Sequence, residues 1–96
     1  MQIQMTGQGM DVTQALRDLT IKKLRRIQSH IEHIISIRIT FHVNKVRQIA
    51  DAKVGLPGNT INANAESNDM YKTIDLLIKK LQSQLARYKE KMTEHH

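Results

Sequence analysis

Lysine and arginine residues recur on two helical stretches of the sequence at spacings that suit the phosphate groups of a polyanion. At about 100° per residue, Lys22 and Arg26 lie one turn apart on the first stretch, and Lys80, Arg87 and Lys91 share one side of the second. Both sets border the apolar stripe of their helix on the same rotational side. Rows of fixed positive charge suit a phosphate backbone, because each neutralised phosphate releases counterions. The pattern predicts a polyanion site on one surface. The alternative is that these bases only solvate two exposed helix faces.

Residues of the kinds used in catalysis or metal binding are present, but their spacing indicates other roles. His30 and His33 could share a metal ion, yet no third ligand is evident, so ordinary surface histidines are the better interpretation. Asp69 fits the start of a helix, and Asp75 lies opposite Tyr71 one turn further on, which favours structural roles over an acid–base pair. No activated nucleophile or phosphate-cradling glycine loop is found. The sequence predicts no catalytic residue, metal site, cofactor or small-molecule substrate.

The composition supports a polyanionic partner. The 96 residues include 15 lysine and arginine residues against 9 acidic ones, which gives a net charge of +6. Such an excess on a small domain is typical of nucleic-acid binding and occurs less often at anionic membrane surfaces. The absence of cysteine excludes disulfides, cysteine zinc sites and thiol nucleophiles. The longest wholly apolar run, residues 76–78, is too short for a membrane span, and the N-terminus lacks signal-peptide features, so we expect a cytoplasmic protein without membrane contact.

Four stretches alternate polar and apolar residues and are predicted to be strands. Each has one apolar and one polar face, so the sheet is expected to be covered on one side only. In the clearest strand, Ile35, Ile37, Ile39, Phe41 and Val43 are predicted to point into the core. The predicted strands cover residues 2–6, 35–44, 50–56 and 61–66, with turns at 45–47 and 57–59.

Two stretches have the three- and four-residue spacing of amphipathic helices. The first begins after Thr13, a good N-cap with Asp11 as the competing choice, and runs to about residues 29–31. The second follows capping residues at positions 67–69 and runs from Met70 to about Met92. We therefore expect a single α+β domain over residues 1–96, with an ordered core of about 1–92. Its order is β-α-β-β-β-α, with a four-stranded mixed sheet and two parallel helices on one face.

Particular residues along the chain carry a family resemblance, which is most specific on the second helix. They are Thr6-Gly7, Val12-Thr13, Ala15-Leu16-Arg17-Asp18, Lys23-Leu24, His33-Ile34, Arg47-Gln48, Ala50, Asn64-Ala65-Glu66, Asp69-Met70-Tyr71, Ile74-Asp75-Leu76-Leu77, Lys80-Leu81, Gln84-Leu85 and Lys89-Glu90-Lys91. Together they closely resemble the ribosome hibernation promoting factor family, over nearly the whole chain. That family's fold, similar to a double-stranded-RNA-binding domain with an added strand, agrees with the predicted order.

The resemblance implies binding to the small ribosomal subunit at the decoding region, where messenger and tRNA would sit. It implies that translation is shut off in stationary or starved cells. Lys22 and Lys79 are bases beyond the family pattern and enter the site on the charge argument alone. The expected RNA-binding residues are Lys22, Lys23, Arg26, Lys79, Lys80, Arg87, Lys89 and Lys91.

Family members differ in length, and this chain ends soon after the second helix. It therefore resembles the short form, which favours inactive ribosome dimers together with a separate protein, ribosome modulation factor. Long forms carry an additional dimerisation domain.

Two other functions stay open from the sequence. The first is a general double-stranded-RNA-binding module, and the second is an RNA-cleaving enzyme that uses His30 or His42. The outward sheet face carries no aromatic residue, which argues against an RNA-recognition motif. Leu76 falls beside the basic row, where it is either an isolated surface leucine or an apolar contact within the binding site.

Overall fold

Alternating polar and apolar residues build a sheet whose apolar face is covered by two amphipathic helices. The computed structural model describes residues 2–28 and 33–94, and the strands are joined in the order β1-β2-β3-β4. The elements are β1 (Gln2–Gln8), α1 (Gln14–Gln28), β2 (Ser36–Asn44), β3 (Arg47–Leu56), β4 (Asn59–Ser67) and α2 (Met70–Glu94). The predicted element order is confirmed.

The directions of the strands fix the directions of the helices. β1 pairs parallel with β2, and both β2–β3 and β3–β4 are antiparallel. Strands β1 and β4 therefore point the same way. Because α1 follows β1 and α2 follows β4, and each helix returns across the sheet, the two helices run parallel on one face, as predicted.

Small residues on the sheet allow α2 to approach it closely. The inward-facing pairs Ala50–Ala65 and Ala52–Ala63 lie on β3 and β4, the strands that α2 contacts. Larger side chains from the helices fill the space above these alanines. The fully buried core residues on the helices include Leu24 of α1 and Ile74, Leu77, Leu81 and Leu85 of α2. Those on the sheet include Ile37, Ile39 and Phe41 of β2.

The predicted strand ends need correction. β1, β3 and β4 are longer than the alternation predicts, since backbone pairing continues where the side-chain pattern stops, and β2 begins one residue later than predicted. The prediction that Ile35 and Val43 point into the core is wrong: they are 59% and 44% exposed. Ile35 precedes β2 and Val43 lies beside its final residue, so both lie at the ends of the strand, beyond the cover of the helices. The first helix ends at Gln28 within the described residues, and its predicted extension to 29–31 lies outside them.

Two turns show why particular residues occupy them. Gly58 has a φ of 69° and follows Pro57, the arrangement of a type II turn, which requires a positive φ at its third residue. At the end of β1, a Cβ on Gly7 would lie 2.1 Å from the Met10 carbonyl oxygen, so only glycine allows the chain to turn there.

Candidate nucleic-acid interface

Capping residues set where each basic helix begins. The amide of Leu16 donates to Thr13 Oγ1 at 3.2 Å, which confirms Thr13 as the N-cap of α1. The amide of Tyr71 donates to Asp69 Oδ1 at 3.3 Å, and Asp69 thereby caps α2. These caps set the first residue of each basic helix.

A groove between the two helices collects three of the predicted bases. Lys23 and Arg26 line it from α1 and Lys79 lines it from α2, around a volume of about 220 Å³. Ile78 and Gln82 complete the lining with Asp75. The three cations come from two elements that are far apart in sequence, so a phosphate group that enters this groove meets positive charge from both helices.

An ion pair spans the same groove. Lys23 Nζ contacts Asp75 Oδ1, with side-chain exposures of 21% and 53%. Asp75 therefore does more than its predicted place opposite Tyr71 indicated: it joins α2 to α1 and places a negative charge among the bases. Because the carboxylate is about half exposed, a pair of this kind contributes little to stability, typically 0 to about 1 kcal/mol. Its main effect is on the charge that the groove presents to a ligand.

A second groove lies between α2 and the edge strand β4. Arg87 and Lys91 line it together with Gln84, Tyr88 and Asn59–Ile61, around a volume of about 320 Å³. The Tyr88 hydroxyl is buried and has no hydrogen-bond partner among the described residues. The groove thus offers two cations, and the Tyr88 ring contributes to its lining.

Side chains of α2 also cap the exposed edge of β4. Lys80 Nζ donates to the carbonyl oxygen of Asn64 at 2.7 Å, and Gln84 Nε2 donates to that of Asn62 at 2.9 Å. An edge strand with open carbonyl groups can pair with another chain, and these side chains occupy two of them. Sequence reasoning missed this role, because nothing in the local spacing of Lys80 shows which backbone group lies beneath it.

The eight predicted bases therefore do not line one groove. Those that neighbour α1 lie on one side of α2, while Arg87, Lys91 and Lys80 lie on the side next to β4. Lys22 and Lys89 are exposed and line neither groove. The sequence predicted that the bases of both helices share one surface. In the structure, α2 itself lies between the bases next to α1 and the bases next to β4, so they form two separate groups. Leu76 is half-buried and packs against the core, so its role is structural.

The geometry gives little support to histidines as metal ligands or as residues that cleave RNA. His42 Nδ1 lies 3.8 Å from Asp51 Oδ2 on the open face of the sheet, and His30 lies outside the described residues. Among residues 2–28 and 33–94, no group of three or more potential ligands could hold a metal ion. Within the same part of the chain, no helix combines the length and apolar character needed to cross a membrane.

The fold and these grooves define a basic α+β domain with separate cationic sites on its helical layer. The chain matches the sequence profile of the family described as Sigma 54 modulation protein / S30EA ribosomal protein over residues 3–93, and it belongs to this family. The resemblance noted from the sequence is thereby confirmed.

Three similar proteins illustrate the relationship. The ribosome hibernation promoting factor of Pseudomonas putida is 43% identical over 91 residues, which cover 95% of this chain and 89% of the relative. The structure of a ribosomal subunit interface protein from Coxiella burnetii is 61% identical with a TM-score of 0.90, covering 94% of this chain and 99% of the other. The N-terminal domain of Thermus thermophilus Protein Y is 27% identical with a TM-score of 0.85, covering 92% and 99%.

Proposed function

We propose that this protein is a cytoplasmic ribosome hibernation factor that binds the small ribosomal subunit at the decoding region and inhibits translation. The observation that carries the proposal is the groove between the helices, where Lys23, Arg26 and Lys79 meet. It supports a phosphate-rich partner, and relatives named ribosome hibernation promoting factor and ribosomal subunit interface protein point to the ribosome as that partner.

The proposed mechanism is occupancy. The domain measures about 48 × 21 × 20 Å and carries cations on both sides of α2. Bound in the decoding region, it would fill space that messenger and tRNA need, and the fixed charges would hold it to rRNA phosphates. Such inhibition requires no bond to be made or broken, so we propose a non-enzymatic action.

The direct test is co-sedimentation of the protein with purified small subunits at several salt concentrations. We expect binding that weakens steeply with salt, and that is blocked by prebound messenger and tRNA. Excess duplex RNA should compete poorly, since a decoding-site ligand prefers the assembled subunit. Strong competition by duplex RNA would instead support the general double-stranded-RNA-binding module.

A second experiment concerns ribosome dimers. We propose that this chain alone silences single ribosomes, and that dimers require ribosome modulation factor as a partner. Gradient sedimentation of ribosomes with the chain alone, beside a translation assay, measures both effects. Abundant dimers without the partner would contradict the partner requirement, and undiminished translation at saturating protein would contradict the inhibition itself.

A further inference from the structure

The open face of the sheet carries a basic pair that the helical grooves do not use. Arg38 on β2 and Lys53 on β3 are directly opposite each other, and both are exposed. Like charges at directly opposed positions destabilise a sheet unless a counter-charge lies nearby. Among the described residues, no carboxylate forms an ion pair with either base. In the next row along the sheet, Asp51 lies 3.8 Å from His42 instead.

A concave site surrounds this pair. The neighbouring row of the same face runs from Gln2 through Ser36 and Gly55 to Thr60, and these residues line a cavity of about 240 Å³ together with Gln4 and the two bases. Gly55 leaves the floor open, because a Cβ there would lie 2.8 Å from Ser36 Oγ. Arg38 Nε donates to Gln4 Oε1 at 3.2 Å, which holds the guanidinium at the rim.

The chemistry of the lining selects an oxyanion. Two cations, side-chain amides and the hydroxyl groups of Ser36 and Thr60 all supply hydrogen-bond donors, and charge-assisted bonds to phosphate are the strongest that such groups make. The residues that line the cavity include no aromatic side chain on which a base could stack. A nucleic acid would therefore be held here through its phosphate groups and without sequence readout.

We propose that this cavity is a further phosphate-binding site, which takes a phosphodiester group of an RNA strand on the face opposite the helices. The domain would then contact RNA through both of its faces, which suits a protein enclosed between RNA surfaces. That this RNA belongs to the ribosome rests on the proposed function. The site itself rests only on the paired bases and the open floor.

The first test follows backbone amide signals by NMR in the full chain, with inorganic phosphate and with a short oligouridylate as separate probes. We expect the amide signals of Ser36 and Gly55 to shift with both probes. The oligouridylate should cause the shift at a lower concentration of phosphate groups than inorganic phosphate does. Shifts with inorganic phosphate only would mean a small-anion site and would overturn the proposal, as would unmoved signals with both probes.

The second test measures small-subunit binding of R38Q/K53Q against salt. Loss of two phosphate contacts should reduce the log–log salt slope by about 1.4 to 1.8. The matched control is R25Q/K72Q, which removes one arginine and one lysine from exposed helix positions outside all three cavities. Equal slopes in the two variants would show that total charge matters and the cavity does not.

A third variant keeps every charge and closes the floor. Gly55→Ala places a methyl group against the Ser36 hydroxyl, which can rotate away, so thermal unfolding should confirm a folded protein. We expect the oligouridylate-induced shift of the Ser36 amide to be lost, and an unchanged shift in the folded variant would count against the site. If the wild-type chain failed to sediment with small subunits, the proposed function would fail, while the oligouridylate titration would still decide this cavity.

Discussion

Removal of the negative charge at Asp75 should strengthen RNA binding. The groove between the helices contains three cations, Lys23, Arg26 and Lys79, and one carboxylate, so Asp75→Asn raises its formal charge from +2 to +3. The same substitution breaks the ion pair that Asp75 makes with Lys23 and releases that ammonium group for a phosphate.

The size of the gain follows from the exposure of the carboxylate. The Asp75 side chain is 53% exposed, so its repulsion of a phosphate about 4 Å away is close to the value in water, about 1 kcal/mol. Relief of that repulsion corresponds to about a fivefold gain in affinity at low salt. One additional phosphate contact, made by Lys23, should steepen the log–log salt slope by about 0.7 to 0.9. Loss of the ion pair should reduce the free energy of unfolding by no more than about 1 kcal/mol.

The assay is small-subunit binding across a salt series, with thermal unfolding measured in parallel. Asp18→Asn is the matched control: it removes the same charge from an exposed position on α1 where the carboxylate accepts a hydrogen bond from Gln14 at 2.8 Å. That position does not line the groove. Asp18→Asn should leave the salt slope unchanged.

Two results would refute this reasoning. Equal gains from the two variants would mean that net charge, and not the groove, sets affinity. Weaker binding by a folded Asp75→Asn variant would mean that Asp75 holds Lys23 in its binding position, so that the pair acts as a unit.

Three further predictions concern the core and the second groove. Leu81→Ala, at a fully buried position, should lower the free energy of unfolding by about 2–5 kcal/mol in chemical denaturation. Lys80→Ala, at the neighbouring position, should lower it by about 1 kcal/mol or less, since only an exposed hydrogen bond is lost. Similar losses in the two variants would contradict the assignment of Leu81 to the buried side of α2 and Lys80 to the exposed side. Thr73→Val should cost about 1–3 kcal/mol by leaving partners of the buried hydroxyl unpaired, and a neutral result would show that those bonds are replaced. Arg87→Glu should weaken small-subunit binding more than Arg25→Glu, because only Arg87 lines a groove; equal losses would reject the groove between α2 and β4.

The edge of β4 links the core to the binding surface. Lys80 and Gln84 occupy carbonyl oxygens of Asn64 and Asn62, and the neighbouring Arg87 and Lys91 line the open groove beyond them. The bases of α2 therefore have two roles that a charge count does not separate. One part of the row protects a strand edge, and the other part is available to a ligand.

The turn between β2 and β3 sets which residues of these two strands are paired. The two-residue turn after β2 sets Asn44 against Arg47, and the same register brings Arg38 opposite Lys53. The sequence predicted a turn at residues 45–47, one residue longer than the structure has. The alternation places Arg38 and Lys53 on the same face, but it does not give the register of the two strands, so their pairing could not be inferred from the alternation alone.

Hydrophobic periodicity by itself determined the order of the elements, the buried face of each and the basic flank of both helices. These are local properties, since burial of one face imposes a period of two on a strand and of 3.6 on a helix. Only the tertiary structure decided which charges meet. Lys23 and Asp75 are distant in sequence, and their contact depends on how two parallel helices lie side by side over the sheet. The same packing places α2 between the two basic flanks, so that one predicted surface becomes two grooves.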